Sequence, residues 1–386
     1  MSQIETHTQK DILDINKLLL SSLNKREQDI ISRRFGLNNI QKQTLEEIGK
    51  DHNLTRERIR QLETAALKRI KELDILIDNI AHIKRGINDI LAEYGGLIEL
   101  NHLLEHLILP IQDDKTHKDI YKNNFYFVIS RLLDGDINEV SNSKYLKRYI
   151  KEKNTSITHA EDIVKELSKT IQKNNVTLTT EELLNTITSL ENHTKHSSKL
   201  ISPNNTDISD VLRQLTKNDY DLVSQVKPLY SLLITSNNIE QNKLGHWGID
   251  TWSEIKPRTI NEKIYLILKE NKKPMHFTKI AEEINNIAFD KKIANAATVH
   301  NDLILGERYV LVGRGMYTLT EWGYKKGTVT EIITDILKNT NNPLDKDAII
   351  DEVLKQRLVK KTTVILALTN NKQFKKVGDF YAINDL

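Results

Sequence analysis

The chain has 386 residues, room for several domains, and 38% hydrophobic, 28% charged and only 6% aromatic residues fit a helix-rich globular protein. Its net charge is only +3 and it has no cysteine, so any basic footprint must be local, and disulfide scaffolds, thiolate metal sites and cysteine nucleophiles are excluded. No apolar run approaches the roughly 20 residues of a membrane span, and the polar start Met-Ser-Gln-Ile lacks a signal-peptide pattern. A cytoplasmic, membrane-free protein is expected.

Leu18 to Leu23 is an apolar stretch ended by Asn24-Lys25-Arg26-Glu27. Asn24 with Glu27 then forms a capping-box start. The helix that follows runs through Ile30, Ile31 and Arg34 and stops at Gly36. Thr44 caps a short helix whose Glu46 and Glu47 suit the positive end of its dipole. His52-Asn53-Leu54 is the turn, with Asn53 suited to a left-handed conformation. Thr55 caps a helix reaching about Ile70. At about 100° per residue, Ile59, Leu62, Ala66 and Ile70 share one stripe, which must face a core.

Glu57, Arg60, Gln61, Thr64 and Lys68 fall on the opposite face. Such side chains can reach base edges and phosphates: Arg forks onto guanine, Gln onto adenine, and Glu accepts from cytosine. Arg56 and Arg58 stand at the helix start, where a recognition helix meets DNA. Between Thr55 and Lys71 there are six bases and two acids, an excess of +4 on one helix. Gly49 is read as the point where two helices cross with close backbones. Residues 45–70 thus read as a helix-turn-helix; a basic amphipathic helix in an ordinary bundle is the competing reading.

The blocks Arg26-Glu27, Arg34-Phe35-Gly36-Leu37, Thr44 to Gly49, Leu54 to Glu63, Ala66-Leu67 and Lys68-Arg69 follow one another in order. Together, over about residues 18–71, they resemble region 4 of the sigma-70 family. The resemblance implies that the third helix enters the major groove of a minus-35-type promoter element. Arg56, Glu57 and Gln61 would then read bases, while Arg58 and Arg60 support them or hold phosphates. It also implies that the helix around Ile30 to Phe35 leans on the beta flap of the RNA polymerase core. In that family the module closes the chain, whereas here it opens it. No aromatic-rich segment resembles the promoter-melting region, so a reading module is expected rather than a complete sigma factor.

Residues 75–155 and 156–255 read as mostly helical, each a possible diverged winged helix. The first is marked by Ile87 to Leu91, Gly95-Gly96-Leu97 and Leu103-Leu104; the second by Ile163 to Ile171, Val176 to Leu178 and Leu183-Leu184. Leu244 to Trp252 reads as another wing, and Asn192 to Asp207 as a loop or linker. His102-Leu103-Leu104-Glu105-His106 matches an inverted zincin pattern, in which two histidines hold zinc and Glu105 acts as base. Leu103, Leu104 and Leu107 also make the ordinary core face of a helix, and no third ligand stands out. No metal, cofactor, catalytic residue or small-molecule substrate is therefore expected.

Residues 256–325 and 326–386 read as two copies of one unit. Each has an apolar helix (Ile264 to Leu268; Ile332 to Leu337), a proline break (Pro274; Pro343) and a second helix (Ile280 to Ile284; Ile349 to Val353). A third helix follows at a Thr-Val pair (Thr298-Val299; Thr363-Val364), then a hairpin (Tyr309 to Leu319; Phe374 to Ile383). That order is a winged helix. Gly313 and Gly315 read as supplying positive dihedrals to the first hairpin turn, placing Arg314 at the wing tip, near DNA or in plain solvent. Trp252, Pro257-Arg258, Pro274, His276-Phe277, Thr298-Val299-His300, Val312 to Gly315 and Glu321-Trp322-Gly323 resemble the HARE-HTH family. That family includes a domain of the polymerase delta subunit and modules beside restriction enzymes. His276 and His300 read as structural more readily than functional.

The expected fold is all-α with small β wings: a DNA-binding helix-turn-helix over 1–73, followed by tandem winged helices. The expected function is a sequence-specific DNA-binding regulator of transcription initiation whose partner is double-stranded promoter DNA. Its DNA-binding residues would be Thr55, Arg56, Glu57, Arg58, Arg60, Gln61, Thr64, Lys68 and Arg314. Two rival readings are a delta-like polymerase accessory subunit acting by protein contact and a DNA-recognition component of a restriction-type system.

Overall fold

The computed structural model describes residues 4–110, 117–133, 137–153, 155–340 and 342–384; the opening residues 1–3 lie outside this, as do the side chains of 4–11 and 75. The described chain is mostly helical, with small antiparallel sheets. It divides into two compact units, one of residues 1–240 with 247–249, the other of 241–246 with 250–386.

The first unit opens with α1 (Ile4–Ser21), α2 (Lys25–Phe35), α3 (Leu45–His52) and α4 (Arg56–Lys71). Local chemistry sets their ends. Asn24 and Thr44 each close a capping box, with Glu27 and Glu47 respectively. Gly36 (φ 69°) and Asn53 (φ 54°) end α2 and α3 in the left-handed conformation. Ile30, Ile48 and Ile59 form the small core, with Leu45, Leu54 and Leu62 packed around it.

Next come α5 (Asp74–Glu93), β1 (Leu97–Glu99), α6 (Leu100–Ile108) and α7 (Lys118–Phe127), which continues as a π turn through Leu132. The hairpin β2 (Ile137–Val140) and β3 (Tyr149–Glu152) follows, with β3 paired to both β1 and β2. The rest of the unit holds α8 (Thr158–Asn174), α9 (Thr180–Thr188), α10 (Glu191–His196), α11 (Ser209–Thr216), α12 (Tyr220–Val223) and α13 (Lys227–Thr235). It ends on a two-stranded hairpin, β4 (Ile239–Gln241) with β5 (Trp247–Ile249); Leu178 bridges Trp247.

The stretch read as a linker, Asn192 to Asp207, is built into the fold. Its first residues are helical because the carboxylate of Glu166 accepts the backbone N–H groups of Glu191 (3.2 Å) and Asn192 (3.0 Å) at the start of α10. Its end is tied to Glu93, a fully buried carboxylate. Glu93 accepts from the N–H groups of Asn205 (2.7 Å) and Thr206 (2.9 Å), from the Ser202 hydroxyl (2.6 Å) and from Lys227 (2.7 Å).

The second unit holds α14 (Ile260–Asn271), β6 (Met275–His276), α15 (Phe277–Ile287), α16 (Ala296–Leu305), β7 (Tyr309–Gly313) and β8 (Met316–Leu319). The same order then recurs as α17 (Val329–Thr340), β9 (Leu344–Asp345), α18 (Lys346–Gln356), α19 (Lys361–Asn370), β10 (Phe374–Val377) and β11 (Phe380–Ile383). In each sheet the last strand lies in the middle, as β3 does in the first unit. β6 and β9 are absent from the sequence reading because two residues carry no legible alternation. Each copy has its own core, one around Ile264, Ile280, Val299 and Tyr317, the other around Ile333, Ile349, Val364 and Phe374.

One turn is corrected. Of the two glycines beside Arg314, only Gly315 has a positive φ (67°). Gly313 is needed for space, since a Cβ there would lie 3.0 Å from the Leu358 carbonyl oxygen. Leu358 reaches that edge by donating its N–H to Val312 (2.9 Å).

Candidate nucleic-acid interface

The interface is built on the crossing of α3 and α4. A Cβ on Gly49 would stand 2.7 Å from the carbonyl oxygen of Leu54, a backbone atom, so only glycine permits this crossing. The Leu54 N–H donates to Gly49 O (2.8 Å), which locks the turn. Thr55 caps α4 by accepting from the Arg58 N–H (3.2 Å). Ile59, Ala66 and Ile70 are fully buried and Leu62 half-buried, so the helix turns its opposite face outward.

Thr55, Arg56, Glu57, Arg58, Arg60, Gln61, Thr64 and Lys68 are all exposed. They are not equally available. Arg60 forks onto Glu57 at 2.9 and 2.7 Å, and this hydrogen bond draws the Glu57 carboxyl below its usual pKa. Arg58 donates to the Gln61 side-chain oxygen (3.1 Å), Thr64 donates to the Arg60 carbonyl (2.9 Å), and Lys68 lies 3.8 Å from Glu72. Arg56 and Arg58 make no ion pair among the described residues, so the start of α4 carries its uncommitted positive charge. Beside it opens a cleft of about 340 Å³ lined by Arg34, Thr44, Leu45, Glu46 and Arg56. The Glu57–Arg60 pair is an exposed i,i+3 contact, weak against water and salt, and opens readily toward another partner.

Two acids whose long-range partners the sequence reading did not give hold the module together from beneath. Glu27 is buried and accepts Arg69 Nη1 on both oxygens at 2.7 Å, tying α2 to the end of α4. Glu63 is buried 3.7 Å from Arg34. Two of the acids near α4 are thus internal struts. Arg69 is likewise committed to the fold.

The helix face that the resemblance assigned to the polymerase flap is occupied from within. Ile30, Ile31 and Phe35 are buried, and the Phe35 ring packs against Phe127 of α7 at 5.0 Å. Arg131 stacks over Phe35, and Asn123 donates to the Gly36 carbonyl (3.2 Å). These apolar side chains offer no surface to another protein in this conformation; α2 presents instead its polar positions Lys25 and Arg26.

The zincin-like pattern is a hydrogen-bonded core. His102 and His106 direct their Nε2 atoms to one hydroxyl, that of Tyr94, at 3.1 and 2.7 Å. One hydroxyl can donate to one imidazole and must accept from the other. Burial pushes both histidines down, His102 to about 4. Glu105 pairs with Lys118 and Lys122, both at 2.7 Å. Both Nε2 atoms and the carboxylate are engaged within the fold, and the described residues hold no cluster of three or more metal-ligating side chains.

Arg314 is exposed at the β7–β8 turn. It belongs to the second unit, whereas α4 belongs to the first. His276 and His300 sandwich Phe277, with ring centroids 4.5 Å apart on each side, and His276 Nδ1 bonds the Thr278 hydroxyl (2.7 Å): a packed aromatic stack. Among the described residues no helix is long and apolar enough to cross a membrane.

Comparison with known proteins reaches the first of these surfaces. The sigma-70 region 4 family matches residues 19–72. The chain is 47% identical over 53 residues to the RNA polymerase sigma factor SigA of Clostridium acetobutylicum, covering 14% of each chain. It is 45% identical over 69 residues to SigA of a Nostoc species, 17% of each, and 42% identical over 72 residues to RpoD of Helicobacter pylori, 18% of this chain and 11% of that one. The likeness thus spans less than a fifth of these relatives. No solved structure matches the chain. Residues 19–72 are a sigma-70 region 4 domain, and α4 is the helix of that domain that carries the exposed Arg56, Arg58, Arg60 and Lys68.

Proposed function

We propose that the protein is a sequence-specific DNA-binding regulator of transcription initiation that reads a minus-35-type promoter element through α4. The observation that carries this is the outward face of α4, where Arg56, Arg58 and Gln61 project from a capped, rigid helix start within a region 4 domain. Arg56 and Gln61 have the donor geometry for guanine and adenine edges in the major groove. Glu57 reaches a cytosine amino group once Arg60 moves to a phosphate, so DNA exchanges one exposed pair for two contacts. Thr55, Thr64 and Lys68 flank this reader and hold the backbone.

We further read α14–β8 and α17–β11 as tandem winged helices, with the first akin to HARE-HTH domains. The α-β-α-α-β-β order and the central last strand support this. In that reading Arg314 occupies a wing tip and touches the DNA backbone.

The test is selection by the full chain on randomised duplexes, followed by footprinting. A single enriched motif is expected, with its preference abolished at one position in each of Arg56→Ala and Gln61→Ala. An unselected pool, or variants that keep the same motif and affinity, overturns the reading. A delta-like role in polymerase contact is favoured by one observation: Ile293, Ile304 and Leu305 stand exposed on the first of these domains, at 85%, 59% and 81%. Capture of core polymerase by a chain that ignores every duplex would be the result expected of it.

A further inference from the structure

The two repeats of the second unit share one element order but differ in charge. α16 contains no lysine or arginine and one acid, Asp302, and its exposed positions include Ile304 and Leu305. Its counterpart α19 contains no acid. Between Arg357 and Phe380 stand six bases and a single acid, Asp379, an excess of +5 in a chain whose net charge is +3.

Arg357 is turned inward, donating to the carbonyl of Leu311. Lys360, Lys361, Lys372, Lys375 and Lys376 remain, all exposed, and among the described residues none of them meets a carboxylate. The core does not require them, because Val364, Leu368, Phe374 and Tyr381 already fill the inner faces of α19 and the hairpin. Lys360 and Lys361 also stand at the positive end of the α19 dipole, where a cation is disfavoured, and no acid stands in the first turn to offset them. Five exposed lysines that meet no carboxylate among the described residues, in a segment with a single acid, suit a polyanion.

The framework is rigid. Asn384 closes the link between α19 and β10, donating its N–H to Gln373 O (2.7 Å) and its side-chain amide to Lys372 O (3.1 Å). The hairpin register sets Val377 opposite Phe380 at the tip, and both are about half exposed, at 51% and 49%. Lysines beside an exposed apolar tip suit a groove edge, where cations meet phosphates and an apolar side chain can wedge against the base steps. Before its last residue, Asn370, the exposed side chains of α19 besides Lys361 are Thr362, Thr363, Leu366 and Thr369, which offer no forked donor for a base edge.

We infer that the C-terminal repeat is a second nucleic-acid site, which grips the phosphate backbone of duplex DNA through Lys360, Lys361, Lys372, Lys375 and Lys376 without reading sequence. The choice of duplex DNA over other polyanions rests on the α4 reading above; the basic surface itself does not. The site would hold the chain on DNA while α4 selects the promoter element.

The experiment measures binding of the full chain to a random-sequence duplex across a salt series, for the unmodified protein and for Lys361→Gln/Lys375→Gln/Lys376→Gln. The expected result is a fall in affinity of at least about five-fold at low salt, and a salt slope flatter by roughly 0.9 for each phosphate no longer neutralised, so about 2 to 3 for the triple variant. The matching triple Lys→Arg variant should restore both, and the Lys375→Gln/Lys376→Gln pair, which leaves α19 untouched, should flatten the slope by about 2. An unchanged slope in the Gln variants overturns the inference. So does an unmodified chain that fails to bind random duplex, or one that binds single-stranded RNA or polyglutamate more tightly than duplex and no longer does so in the variant. Failure of the α4 reading shows elsewhere, as the absence of any selected motif while the salt slope on random duplex still responds to these lysines.

Discussion

Arg56 and Gln61 are both exposed on α4, but their neighbours prepare them differently. Arg56 makes no ion pair among the described residues, while Gln61 accepts from Arg58 and must turn its amide to reach a base. Replacing either by alanine is expected to cost about 1–3 kcal/mol of specific binding and to relax choice at one base position, measured by titration on matched and mismatched duplexes. Arg60→Ala should weaken all duplexes alike and flatten the salt slope by about one.

Also at this scale, Tyr94 holds two buried imidazoles. Tyr94→Phe leaves both Nε2 atoms without a partner and is expected to destabilise the first unit by roughly 1–3 kcal/mol in denaturant titration. His102 carries a pH signature. Burial depresses its folded pKa to about 4, below the ordinary 6.5, so the unfolded chain binds the proton more readily. The stability that the neutral ring contributes is complete above about pH 6.5 and is lost as pH falls toward about 4. Melting temperatures across that window should drop, and His102→Asn should show a shallower drop. Equal slopes in the two proteins would count against this account.

At the scale of elements, the crossing of α3 and α4 decides whether those side chains are presented at all. Gly49→Ala forces a Cβ against the Leu54 carbonyl, where no flexible side chain can yield. A destabilisation of about 1–3 kcal/mol is expected, with weaker DNA binding because α4 tilts; a variant with unchanged melting and binding would refute the close approach. α2 is anchored on α7 as well as on α4. Phe35→Ala should cost about 3–5 kcal/mol, the usual result of emptying a buried aromatic site. The ends of these elements were legible in the sequence because a cap is local: Asn24 with Glu27, Thr44 with Glu47 and Thr55 before Arg58 each act within three residues. The hairpins of the second unit were legible too, since four or five alternating residues and a glycine turn suffice. The two-residue strands β6 and β9 were not, for want of length.

At the scale of the whole molecule, the first unit is closed by hydrogen bonds and ion pairs between residues distant in sequence. Burial alone would raise the Glu93 pKa, but Lys227, the Ser202 hydroxyl and the Thr206 N–H together hold it below its usual value. The charged form is therefore a stabilising one above the ordinary carboxyl pKa, and its contribution is lost as pH falls through the lowered folded value. Glu93→Gln should cost about 3–5 kcal/mol at neutral pH, because Lys227 is then left buried without its partner; a melting curve like that of the unmodified chain would contradict this.

What the sequence determined by itself was the α3–α4 module: the caps, the apolar stripe of α4, the charge on its outer face and the need for glycine at position 49. Each depends on neighbours a few residues apart, and the family likeness over residues 19–72 rests on the same short blocks. Only the tertiary structure decided which charges are free. Glu27 reads only as a capping-box partner until Arg69, 42 residues on, closes over it, and Glu93 waits for an N–H 112 residues away. His102 and His106 match a zinc-binding spacing as well as a plain helix core, and only the fold shows both Nε2 atoms on the Tyr94 hydroxyl. A side chain's type and spacing are written locally, but its partner is chosen by packing, and the partner decides whether a charge serves the fold or the function.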